Sequence, residues 1–153
     1  MKVWTDADLQ AFLKVIDPED NATGGGTASA VAGAMAAGLV GMVARVSKGK
    51  PDLESDEFYD TIDTAAQDLA RALMQGGRED SEAFGAVMRS FTLPKGTEDE
   101  KAARSAAIRT AMVGATRVPL ENAQRCVRVL ELADRVSKMF NQNAASDLAV
   151  ARL

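Results

Sequence analysis

A chain of 153 residues with 46% apolar and 26% charged side chains holds the material for one soluble domain with a sizeable core. It has no histidine and a single cysteine, Cys126, which excludes Ser-His-Asp triads, histidine-based zinc hydrolases, Cys-based zinc sites and any disulfide framework. The net charge of −4 is unevenly spread, and an acidic chain without interleaved basic and aromatic residues is not expected to bind nucleic acid.

Few aromatics and abundant Ala, Gly and Met favour closely packed helices over a β-sandwich. Thr5, with Asp8 three residues on, caps a first helix over about 6–16. Pro18 and the glycine triplet at 24–26 break the pattern. A second helix is predicted from about Thr27 to Ser47, stopped by Lys48-Gly-Lys-Pro51 with cations over its negative end. Small residues line two of its faces, Ala28/Ala32/Ala36 and Gly33/Ala37/Gly41, so both can meet neighbours at close range. The stretch 21–44 lacks charge and is long enough to raise a membrane question, but its Ala/Gly content makes it a buried helix.

The third segment starts near Ser55 with an apolar stripe of Phe58, Ile62, Ala65, Leu69 and Leu73. Past Gly76-Gly77, which end or loosen it, the same stripe continues as Asp80, Phe84, Val87 and Phe91. Leu93-Pro94 stops the helix. Thr97-Glu-Asp-Glu100 is a capping box for a fourth helix, with a kink or restart expected at Pro119. Asn141-Gln-Asn143 breaks the periodicity, and Ser146 is the predicted cap of a last helix. The expectation is an all-α bundle of about four to five helices in one domain, residues 1–153. The Met1-Lys2-Val3-Trp4 opening lacks the apolar run of a signal peptide, and with the lone cysteine it points to the cytoplasm, with no membrane partner.

Without histidine, proton transfer falls to Asp, Glu, Lys or water. On a continuous helix Asp80 lies on the apolar stripe, and a carboxyl withdrawn from water is a usable general acid or base. On a helix that restarts after Gly77 it is only an N-cap. Lys95 faces the same cleft or is a surface lysine. Arg104 either points inward, to pair with Asp80 or a ligand carboxylate, or snorkels to water. Gly24, Gly25, Gly26 and Thr27 precede a helix and can offer free N–H groups, yet they form neither a Walker nor a Rossmann fingerprint. Asn141, Asn143 and Asp147 gather amides and a carboxylate in one loop, where Asp147 can equally complement a helix N-terminus. Residues 1–100 carry nine basic and eighteen acidic groups and residues 101–153 nine and four. The basic last third reads as a solvated face, an intersubunit surface or a landing site for a small polyanion.

Taken in order, these blocks resemble the cyclodeaminase/cyclohydrolase family of folate enzymes. The family pattern runs TPGGGS with a small-residue helix ending in MV, D-x-x-AF, LPK-x-T-x-EEK-x-x-R, VPL and GN-x-N-x-x-SD. This chain has Ala22-Thr-Gly-Gly-Gly-Thr27 with Met42-Val43, Asp80-Ser-Glu-Ala-Phe84, Leu93-Pro-Lys-Gly-Thr97 with Glu100-Lys101 and Arg104, Val118-Pro-Leu120, and Asn141-Gln-Asn-Ala-Ala-Ser-Asp147. Thr23 replaces the usual proline, Thr27 the usual serine and Phe140 the usual glycine, and the domain is shorter at its C-terminus than the family pattern.

The resemblance implies a helical homodimer acting on a tetrahydrofolate one-carbon adduct, with or without a polyglutamate tail, and with no metal and no cofactor beyond that substrate. It assigns Asp80 as proton shuttle, Lys95 as the group that holds its ionisation or donates to the leaving group, and Asp147 as a further catalytic-site carboxylate that hydrogen-bonds the pterin with Asn141 and Asn143. Gly24, Gly25, Gly26, Thr27, Arg104, Asn141 and Asn143 would contact substrate, and the arginine-rich last third would attract its glutamate tail. The alternatives are a non-catalytic folate-binding module and a purely structural helical dimer.

Overall fold

The computed structural model describes residues 4–20 and 23–153; residues 1–3 of the opening and Asn21 and Ala22 of the glycine motif lie outside them. Five α-helices follow one another: α1 Asp6–Ile16, α2 Gly25–Ser47, α3 Asp56–Phe91, α4 Glu98–Val136 and, after a single 3-10 turn at Gln142–Ala144, α5 Ala145–Ala151. No strand occurs among the described residues.

The helix starts follow local chemistry. Thr5 and Asp8 satisfy each other's backbone N–H groups at 3.3 and 2.9 Å, and Thr97 and Glu100 do so at 3.2 and 3.0 Å. Ser55 Oγ accepts from Phe58 N at 3.2 Å and starts α3. α2 begins two residues earlier than predicted, at Gly25, with Gly24 as an N-cap that has no side chain to offer its free N–H groups.

α2 is the central member and packs on α1, α3, α4 and α5. It is long and apolar enough to cross a membrane, but the packing around it is that of a bundle core, with Ala30, Ala37, Val40, Val43 and Ala44 fully buried. Its two small-residue faces are covered unequally, with Ala28 and Ala36 of the second only half-buried. Gly33 lies under Leu73 and Cys126, and Gly41 lies under Asp63, which ion-pairs with Arg45. On the other face Ala32 and Met35 are exposed. The last turn closes through Tyr59, whose buried hydroxyl donates to Met139 O at 2.9 Å.

α3 is one unbroken helix of 36 residues and α4 one of 39 that runs on through Pro119. Gly76-Gly77 do not end α3, because they are contact points: a Cβ on Gly76 would fall 1.9 Å from Asn122 Oδ1, and one on Gly77 would fall 3.0 Å from Ala11. At 1.5 Å per residue, α3 and α4 reach about 54 and 58 Å against about 35 Å for α2, so their hairpin extends past the body. Ser146 does not cap α5; the helix starts from Ala144 with no side-chain cap, and the capping side chain nearby is Asn141, which accepts from Asn143 N at 3.1 Å.

Candidate functional site

Because α3 continues through its glycines, Asp80 is an interior helical residue and not a cap. Its carboxylate lies against the first turn of α2, so close to Gly26 that a Cβ there would be 2.6 Å from both carboxylate oxygens. Only glycine leaves that space. Thr27, fully buried one residue on, has its hydroxyl oxygen 3.0 Å from Asp80 Oδ2 and 3.2 Å from Gly77 O. The carboxylate thus meets the end of α2 where unpaired N–H groups and the helix dipole favour negative charge.

Around this contact is a cleft of about 290 Å³ lined by Thr23, Gly24, Gly26, Asp80, Ser81, Phe84 and Ala115. Asp80 is half-buried there, among hydroxyls and backbone rather than sealed in side-chain hydrocarbon. Gly24 and Gly25 are exposed with open space beside them, and Gly24 lines the cleft. Thr23, at the position of the family's proline, is held by Asp20, which accepts its N–H at 2.9 Å and its hydroxyl at 2.8 Å. A proline restrains such a turn through its ring; here two hydrogen bonds do so.

Two residues at this cleft carried no signal in the sequence reading. Ser81 follows Asp80 directly, and half-buried Lys14 of α1 donates to its hydroxyl at 3.4 Å. The spacing in α1 marks Lys14 only as a last-turn cation; its approach to Ser81 is tertiary.

The other predicted residues lie elsewhere. Lys95 is exposed in the turn at the hairpin tip, and the helix from Asp80 to Phe91 alone measures about 16 Å, beyond the reach of a lysine side chain. Lys95 and Asp80 therefore do not share a cleft within one chain. Arg104 does not pair with Asp80 either. It donates from Nη2 to Phe91 O at 3.3 Å, stands 6.0 Å over the Phe91 ring, and leaves a buried Nε without a partner.

Asn141, Asn143 and Asp147 belong to the opposite end of α2. Asn141 donates from its backbone to Ser47 Oγ at 3.0 Å and from Nδ2 to Val46 O at 3.1 Å, pinning the loop to the helix C-terminus. Ser47 and Thr27 are about 30 Å apart along α2. Asn143 is exposed, and Asp147 is half-buried in the first turn of α5, where a carboxylate complements the helix N-terminus. The glycine–Asp80 cleft and the Asn/Asp loop are two separate places in the monomer.

Comparison with known proteins agrees with this architecture. The model of the formiminotransferase-cyclodeaminase family matches residues 8–153. A methenyltetrahydrofolate cyclohydrolase from Methylorubrum extorquens is 39% identical over 146 residues, covering 95% of this chain and 70% of that protein. The formimidoyltransferase-cyclodeaminase of Rattus norvegicus is 27% identical over 153 residues, covering 95% of this chain and 27% of that longer protein. The crystal structure of formiminotetrahydrofolate cyclodeaminase from Thermotoga maritima superposes with a TM-score of 0.75 at 26% identity, over 94% of this chain and 68% of that one. With the family model matched over residues 8–153 and the fold shared over 94% of its length, the chain belongs to the formiminotransferase-cyclodeaminase family.

Proposed function

We propose that this chain is a folate one-carbon enzyme acting at the carbon between N5 and N10 of tetrahydrofolate, with Asp80 as the group that moves the proton. The observation that carries this reading is the Asp80 carboxylate held by Thr27 against Gly26, at the open end of α2 and in a cleft. At about 290 Å³ that cleft is at the lower edge of the roughly 300–1,000 Å³ of ligand pockets, enough for a ring system with its tail outside.

In the cyclohydrolase direction, water adds to the methenyl carbon. Asp80 takes one proton from that water and returns it to N5 as the N5–carbon bond breaks, and the remaining hydroxyl proton leaves to solvent as the formyl C=O forms, giving the 10-formyl product. In the cyclodeaminase direction, N10 adds to the carbon of the protonated formimino group, Asp80 passes the N10 proton to the resulting amine, and the C–N bond breaks to release ammonia and leave the methenyl cation. A carboxylate also stabilises the cationic methenyl bridge electrostatically. Neither direction uses a metal or redox cofactor. The 39% identity to a protein named methenyltetrahydrofolate cyclohydrolase favours the hydrolytic direction.

Lys95, Arg104, Asn141, Asn143 and Asp147 cannot join this cleft within one chain. Their part in catalysis requires a second copy that presents its own hairpin tip or loop end to the cleft, which is the reading we adopt for the dimer. Turnover of the methenyl and formimino substrates, followed by absorbance, tests the assignment. Asp80→Asn is expected to lower kcat by about 100-fold or more with KM little changed. Full turnover by that variant would remove Asp80 as the shuttle.

A further inference from the structure

The cleft has one more polar group, supplied by backbone. Pro119 lies inside α4 and has no N–H, so the carbonyl four residues earlier, Ala115 O, lacks its helical donor. Ala115 is the residue that α4 places in the wall of the Asp80 cleft, which Phe84 also lines. The register is fixed one turn away from Asp80, where buried Asn122 packs onto Gly76 so tightly that no Cβ fits between them. Val118, beside the proline, is buried as well. The helix is therefore held in register around Pro119, and the residue whose carbonyl loses its helical donor is the one that lines the cleft. A methyl side chain at position 115 leaves the backbone within a ligand's reach.

We propose that Ala115 O is a fixed hydrogen-bond acceptor for the ligand in this cleft, exposed by Pro119, and that it selects a heterocycle with an N–H or amino donor on the edge away from the reacting carbon. A proline inside a helix is destabilising, and an unpaired, preoriented acceptor is what it gives in return. The identity of the heterocycle, a pterin whose 2-amino group meets Ala115 O, rests on the folate reading; the exposed acceptor does not.

The test compares 5-formyl-tetrahydrofolate with its 2-desamino-2-methyl analogue by titration calorimetry. The wild-type chain is expected to bind the analogue about tenfold more weakly, the effect of one unmade hydrogen bond. Pro119→Ala restores an N–H that closes on Ala115 O, so its affinity for the amino ligand should fall about tenfold and its preference vanish, with helicity by circular dichroism unchanged. Equal wild-type affinity for the two ligands would overturn the acceptor, and needs no variant to fold. So would a preference that survives in Pro119→Ala. Failure of wild type to bind either compound, while turning over neither folate substrate, would instead sink the folate reading and with it the ligand assigned here.

Discussion

Gly26 and Asp80 face each other at a separation that admits no side chain at position 26. A methyl group there would sit 2.6 Å from the carboxylate, so Asp80 would have to shift from its place beside Thr27. Gly26→Ala is therefore expected to fold with native helicity yet lose turnover about as severely as Asp80→Asn, in a paired circular dichroism and absorbance measurement. A folded Gly26→Ala enzyme with normal kcat would show that the close approach has no part in catalysis. Cys126 offers a titration at the same scale. Burial against Gly33 pushes its thiol up from the ordinary range, so the reactive thiolate stays scarce until the pH rises well above neutrality. Alkylation at pH 8 should be at least about tenfold slower in the folded chain than in denaturant, and should accelerate as pH climbs. Equal rates in the two states would contradict the packing.

Two glycines in different helices separate contact from convenience. Gly76→Ala pushes a methyl into Asn122, a buried amide whose Oδ1 accepts from Arg125 at 2.7 Å and whose Nδ2 has no partner. Overpacking at such a contact costs about 1–3 kcal/mol, more than the roughly 1 kcal/mol that alanine gains by helix propensity, so stability should fall. Gly38 of α2 is exposed with nothing within 4 Å of an added Cβ, and Gly38→Ala should raise stability by about 0.5–1 kcal/mol. Denaturant midpoints read both, and the opposite signs are the prediction. The pair also shows why the continuity of α3 was hard to foresee. In sequence, Gly76-Gly77 reads equally as a helix end or a loosened turn; it is a landing place for Asn122 and Ala11, 46 and 66 residues away.

At the scale of the molecule, the helices and most of their ends were legible, because capping boxes, Pro94 and the apolar periods are local signals. The Thr5/Asp8 and Thr97/Glu100 boxes form as the residues suggest. The juxtaposition of Gly26 with Asp80 carried no local signal, and it entered only through the order of motifs that resembles the family. What the sequence hid was distance: Asn141 and Thr27 look like parts of one site in a list of motifs, yet they hold opposite ends of a 23-residue helix. Lys14 and Ser81 were missed for the converse reason, since 67 residues separate partners that meet in space. If two copies combine their ends, an inactive Asp80→Asn chain mixed with an impaired Asn143→Ala chain should regain up to about a quarter of wild-type activity in statistically assorted dimers. No recovery on mixing, in a sample that sediments as a dimer, would place the whole reaction within one subunit.

The Thr27 hydroxyl carries a single hydrogen yet stands within bonding distance of two acceptors, Asp80 Oδ2 and Gly77 O. While the carboxylate is bare, that hydrogen can point at it. Once Asp80 has picked up a proton, a simple rotation about the C–O bond turns the hydrogen toward Gly77 O and leaves a lone pair to receive the new O–H. The pocket can thus match both halves of a proton-transfer cycle with only hydrogens relocating, an adaptability that serine would retain and valine, identical in shape, would abolish.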